Sequence, residues 1–157
     1  MSDGTTRFWP DVQPGDTFAT EGITISRRDI LEFAADFDPQ PYHLDPDAAE
    51  ASIFGGLCAS GWHVTAVMMR LLTDEFLSQG IDLLGSSGVS SLRWKKPVFA
   101  GDTLASDIAV TGKSPSGSDD RYGYIECDVN VRNQHGDSVI LLSTSLLIGT
   151  GTEAAHG

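Results

Sequence analysis

Basic residues are scarce in this chain. Its 10 lysines and arginines stand against 22 aspartates and glutamates, for a formal net charge of −12 and a pI near 4.4. A surface of that sign repels phosphate backbones and anionic headgroups, so nucleic acid and membrane surfaces are set aside as partners. Long apolar runs are missing too, and nothing approaches the roughly 20 residues that span a bilayer. The opening MSDGTTRFWPDVQPGD has neither the basic start nor the apolar stretch of a signal peptide. The expectation is therefore a cytoplasmic protein. Cysteine is almost absent, and in that compartment Cys58 and Cys127 read as packed thiols rather than a disulfide. The 4 histidines, His43, His63, His135 and His156, show no metal-ligand spacing, so no metal site is expected. Serine-hydrolase, phosphate-loop and dinucleotide motifs are also lacking.

What remains is ordinary globular material. The 157 residues are 40% hydrophobic and show neither repeat nor dividing linker, which points to one domain over 1–157. Its core is expected over about 15–149, with a small, polar tail over 149–157 that frays. Residues 17–25 read as a strand. Ser26 and Asp29 form a capping-box pattern, and Ile30, Phe33, Ala34 and Phe37 then fall on one helical face. Prolines after Phe37 end that helix, and Asp45 can cap a short helix reaching about residue 52. A longer helix is expected over 61–79 with Ser60 as its N-cap. Its stripe of Val64, Val67, Met68, Leu71, Leu72 and Phe76 makes it the core helix. Four strands follow, at about 89–96, 104–113, 121–131 and 138–148, separated by turn-rich pieces. Helices early and consecutive strands late give an α+β class, with one long helix against one antiparallel sheet.

Chemistry concentrates in residues 36–47, a proline-stiffened loop carrying Asp36, Asp38, Tyr42, His43, Asp45 and Asp47. An aspartate near a histidine can form a general acid/base pair. A solvated loop whose aspartates cap helices is the competing account, and Asp45 and Asp47 suit it best. Asp38 and His43 lie five apart across two prolines, which hold them on a short, stiff arc.

The stretch Asp38-Pro39-Gln40-Pro41-Tyr42-His43-Leu44-Asp45 resembles the D-x-N-P-x-H-x-D signature of MaoC-like dehydratases and (R)-specific enoyl-CoA hydratases. Ala48-Ala49 and Phe54-Gly55 are similar to that family's A…F-G spacing, and Ala59-Ser60-Gly61-Trp62 stands where it has A-H-G-M. Leu92-Arg93-Trp94-Lys95-Lys96-Pro97-Val98-Phe99-Ala100-Gly101-Asp102 is similar to L-x-F-x-x-P-V-x-x-G-D. In order, these matches run over nearly the whole chain.

The resemblance implies a hotdog fold, in which an antiparallel sheet wraps a long central helix, and a homodimer or a higher oligomer of dimers. It implies a hydro-lyase acting on 2-enoyl or 3-hydroxyacyl thioesters of coenzyme A or acyl-carrier protein. No cofactor is implied beyond coenzyme A carried as part of the substrate. Carried over residue by residue, it makes Asp38 and His43 the pair that holds a water and exchanges protons. The Gly61 N–H becomes the oxyanion donor at a helix start. Gln40 replaces the motif's Asn and is left with loop support. Ser60 replaces its His and is left with the helix cap. The central helix carries Ala66–Met69 where the hydratases often have a serine, so a more apolar pocket is expected there. Arg93, Lys95 and Lys96 are candidates for the phosphates of coenzyme A, with Arg27, Arg28 and Arg70 of similar standing. A hotdog thioesterase and a non-catalytic acyl-thioester binder remain open as alternatives, the latter because of Gln40 and Ser60.

Overall fold

The fold is seen in a computed structural model that describes residues 4–152. Among the described residues six strands and four α-helices follow one another. After a 3-10 turn at Trp9–Asp11 come β1 (Thr17–Ala19), β2 (Ile23–Thr24), α1 (Arg27–Phe37), α2 (Pro41–Leu44), α3 (Pro46–Glu50) and α4 (Gly61–Ser78). The chain ends in β3 (Leu83–Trp94), β4 (Thr103–Pro115), β5 (Tyr122–Arg132) and β6 (Ser138–Gly149). The strands form one antiparallel sheet in the order β1-β4-β5-β6-β3, with β2 also on β4. Helix α4 lies against its inner face, the hotdog arrangement. Among the described residues no helix is long and apolar enough to cross a membrane.

Local chemistry explains most boundaries. The Ser26 hydroxyl accepts from the Asp29 N–H and the Asp29 carboxylate accepts from the Ser26 N–H, closing the capping box that starts α1. In α4 the side chains of Val64, Met68, Leu71, Leu72 and Phe76 are buried, and they share one core with Ile108, Val129, Leu142 and Leu146 of the sheet. Phe76 meets Phe18 of β1 with ring centroids 5.0 Å apart. The opposite side of α4 is open, with Trp62, Met69 and Leu77 exposed, so the sheet covers one face of the helix rather than enclosing it.

Several expectations are corrected. The strand read over 17–25 is two short strands. The Thr20 hydroxyl accepts from the Ser106 N–H in place of a backbone carbonyl, and this interrupts the ladder. The loop read over 36–47 contains the single turn α2, with Pro41 preset at its first position. Phe37 is 74% exposed, because α1 ends there and its last turn projects past the core. β3 begins at Leu83, six residues before its expected start, and ends at Trp94. Gly85 to Gly88 lie outside every expected element but ride through as bulged strand, with register breaks at 83/85 and 86/88. Gly149 is not in a frayed tail. It is buried and pairs with Tyr122, while residues 153–157 lie outside those described.

The N-terminal segment is strapped across the sheet by Trp9. Its indole N–H donates to the Tyr124 carbonyl at 3.0 Å, and the Lys113 ammonium sits 4.1 Å from the ring centroid while donating to the Trp9 and Val12 carbonyls. The indole lies directly over Gly123, where a Cβ would fall 2.5 Å from Trp9 Cε2. Gly123→Ala should therefore dislodge the strap and cost about 1–3 kcal/mol of stability. Urea denaturation checks this, and an unchanged midpoint would rule out the strap as a stabilising element.

Candidate active site

Four segments converge on one cavity of about 370 Å³. The α1–α2 junction supplies Asp38 and Gln40, and α2 supplies Tyr42 and His43. The segment entering α4 supplies Cys58, Ala59 and Gly61, and the end of β3 with its following loop supplies Trp94 to Val98. Val64, Val98 and Val139 give the cavity an apolar inner wall. Backbone bonds set this convergence: the Ala59 N–H donates to the Val98 carbonyl, and Cys58 bridges Phe99.

His43 is buried, and its Nδ1 lies 2.7 Å from the Cys58 carbonyl oxygen. A carbonyl only accepts, so Nδ1 carries the proton and Nε2 is turned inward. Nε2 stands 3.4 Å from Asp38 Oδ2. The Asp38 carboxylate is bound on both oxygens, Oδ2 by the Ser60 hydroxyl at 2.7 Å and Oδ1 by the Gln40 amide at 2.7 Å. These bonds, the one from Ser60 foremost, together with nearby His43, hold its carboxyl below the usual range against the opposing effect of partial burial. It is an ionised carboxylate facing an imidazole nitrogen across one short gap.

Gly61 opens α4, and among the described residues its N–H has no hydrogen-bond acceptor. The Trp94 indole covers it, donating to the Gly61 carbonyl at 2.8 Å and the Thr65 hydroxyl at 3.1 Å. A Cβ at Gly61 would meet Trp94 Cε2 at 2.6 Å, so only glycine fits beneath the ring.

The structure thus brings Asp38, His43, Gln40, Gly61, Lys95 and Lys96 to one cavity. Ser60 stands at the N-cap position, but its hydroxyl makes no capping bond and donates to Asp38 instead. The helix-cap assignment is corrected accordingly. Arg93 is exposed and does not line the cavity, and Lys96 also pairs with Asp137 at 3.1 Å. Arg28 and Arg70 pair along their own helices with Glu32 and Asp74. Cys58 is buried and its thiol is pushed up by that burial, which suits packing and not nucleophilic work. Among the described residues no group of three or more His, Cys, Asp or Glu side chains could hold a metal ion. Trp94 escaped the sequence reading as a site residue. The only signal for it was an indole at the aromatic position of L-x-F beside an obligatory glycine thirty-odd residues away.

His63 faces away from this chemistry. It stacks on Phe33 with centroids 4.8 Å apart, and its buried Nδ1 has no partner among the described residues. Burial lowers its pKa below the ordinary 6.5, with Asp29 opposing. The unfolded chain then binds more protons as pH drops from 6.5, so stability should fall over that window and level off below the folded-state value. His63→Phe should flatten this slope between pH 5 and 7 in thermal melts, and an unaltered slope would assign it to other groups.

Comparison with known proteins identifies the family and the fold. A family model described as "MaoC like domain" matches residues 8–127. An (R)-specific enoyl-CoA hydratase of Rhodospirillum rubrum is 32% identical over 114 residues, covering 69% of this chain and 72% of that one. The uncharacterized protein YdeM of Bacillus subtilis is 31% identical over 130 residues, covering 83% and 81%. The crystal structure of a MaoC-like dehydratase from Rhodospirillum rubrum superposes with a TM-score of 0.83 at 36% identity, covering 94% of this chain and 99% of that one.

Proposed function

As the chain belongs to the MaoC-like dehydratase family, we propose that it hydrates 2-enoyl thioesters, or dehydrates 3-hydroxyacyl thioesters, at Asp38 and His43. One observation carries this reading. A clamped, ionised carboxylate and an inward-facing imidazole nitrogen lie 3.4 Å apart in a cavity that also holds the first residue of α4. With Nδ1 protonated, Nε2 and Asp38 Oδ2 both accept, and a water seated beside them donates one hydrogen to each. In the hydration direction the water oxygen bonds to C3 of the enoyl group while Nε2 takes a proton. The π electrons move toward the thioester oxygen, where the Gly61 N–H and the start of α4 stabilise the developing charge. Nε2 then returns a proton to C2, and the pair is restored. Asp38 orients the water and steadies the transient imidazolium. Lys95 and Lys96, which line the same cavity, are the residues proposed to meet the anionic handle of coenzyme A or the phosphopantetheine of acyl-carrier protein.

The functional unit is proposed to be a homodimer, in the cytoplasm. β3 is a terminal strand of the sheet order with Leu84, Val89 and Trp94 exposed on it; Trp94 meets Trp62 of α4, where Met69 and Leu77 are exposed too. An open, apolar edge of this length calls for cover, and a second copy of the chain supplies it. Sedimentation at micromolar concentration should give twice the monomer mass; a monomer would remove the dimer from the proposal.

The activity is tested by adding 2-enoyl-CoA substrates of varied length and following loss of the conjugated double bond's absorbance. Release of free thiol would indicate a thioesterase, and saturable binding without turnover a non-catalytic thioester binder.

A further inference from the structure

The helix cap that the resemblance left to Ser60, which stands where an imidazole is usual, is not made, so the residue is without a task. Its surroundings supply one. Ser60 is wholly buried, its hydroxyl makes no helix-capping bond, and among the described residues its one polar side-chain contact is Asp38 Oδ2 at 2.7 Å. That oxygen is the one facing His43 Nε2. The other oxygen is held by Gln40, whose own orientation is fixed from behind. The Tyr42 hydroxyl donates to Gln40 Oε1 at 2.6 Å, which turns the amide nitrogen toward Asp38 Oδ1 at 2.7 Å.

We infer that Ser60 is a positioning residue for the hydratase reaction, acting with the Tyr42–Gln40 arm to fix the rotation and charge of the Asp38 carboxylate. The inference rests on the proposed hydratase reading. A carboxylate turning freely about its side-chain bond would offer Nε2 and the shared water a variable partner. Two donors from different parts of the chain remove that freedom. The donors are unequal. Ser60 is enclosed and comes from the rigid entry to α4, whereas Gln40 is exposed on the same turn as Asp38. A charge-assisted bond inside a buried wall is the stronger of the two. The titratable groups facing this carboxylate are His43 from α2, Tyr42 through Gln40, the Cys58 thiol behind His43, and Lys95 and Lys96 from the loop after β3. None of these is bonded to Asp38 within 3.2 Å, so Ser60 and Gln40 dominate its state.

The test reads the carboxylate directly and then the rate. Carbon-13 NMR of the Asp side chains in ligand-free protein should show the Asp38 titration moving to higher pH in Ser60→Ala, and by less in Gln40→Met. On a turned-over 2-enoyl-CoA, Ser60→Ala should lower kcat about tenfold while KM stays within about twofold, the loss of one charge-assisted bond. Ser60→Cys, which keeps the volume and nearly loses the donor, should behave the same way and serves if Ser60→Ala does not fold. An unmoved Asp38 titration in a folded variant would overturn the inference. So would an unchanged kcat where the wild type turns over. Should the wild type hydrate no enoyl thioester at all, the hydratase reading fails and the kinetic role falls with it. The NMR titration still decides whether Ser60 governs Asp38.

Discussion

Asp38→Asn is expected to lower kcat/KM for enoyl-thioester hydration by about 10²–10⁴-fold, the range typical of a lost acid/base partner. The substitution keeps the shape and removes the charge. An Asn side chain can still accept from Ser60 through its oxygen, but its NH2 then meets the Gln40 amide nitrogen, and two donors oppose each other. If the amide flips to relieve that clash, its NH2 turns to Ser60, whose hydroxyl must then accept where it donated to the carboxylate. Either way the water loses a fixed anionic acceptor. His43→Ala should fall in the same range, since the proton then has no carrier. The double variant should be little worse than either single one, because both groups act on one water and one proton. Steady-state kinetics of the three variants, with circular dichroism to confirm folding, checks this. Wild-type rates in Asp38→Asn on every accepted substrate would refute the mechanism. Losses that multiply in the double variant would show that the two residues act in separate steps.

The geometry behind this prediction was unevenly legible in the sequence. Asp38 and His43 could be set on one short arc because their approach is local, while the resemblance to the D-x-N-P-x-H-x-D signature made them a pair. Two prolines and one helical turn lie between them, and backbone restriction at Pro39 and Pro41 carries most of the information. The start of α1 was legible for the same reason, since a capping box is written within four residues. The burial stripe of α4 was legible because a helix repeats its face every turn. What escaped depends on distant partners. Ser60 follows a helix-cap rule in sequence, yet its hydroxyl is claimed by a carboxylate twenty-two positions earlier. No propensity reports such a contact. The early part of β3 was lost because glycines signal turns locally, whereas here β6 holds them in bulged strand. Phe37 keeps the right phase on α1 but sits a turn beyond where the core ends, a limit that only the packed fold defines.

Gly61→Ala should be the other severe substitution, with kcat/KM lowered about 10²-fold, the cost of misplacing a transition-state contact by about an ångström. The new residue keeps its backbone N–H, so the donor itself survives. Its Cβ, however, would lie 2.6–2.8 Å from Cε2, Nε1 and Cδ2 of Trp94. That overlap leaves two outcomes. The first turn of α4 shifts and carries the N–H away from the thioester oxygen, or the indole swings outward and gives up its bonds to the Gly61 carbonyl and the Thr65 hydroxyl. Trp94 is already half-open to solvent and meets Trp62 edge to face, so it has room to move, but the helix start then loses its outer tether. A double variant separates collision from chemistry. Removing the ring in Gly61→Ala/Trp94→Ala clears the overlap, so its rate should match that of Trp94→Ala alone and exceed that of Gly61→Ala. If the double variant is instead as slow as Gly61→Ala, the methyl group blocks the thioester itself. The glycine would then be required by the substrate rather than by the tryptophan above it.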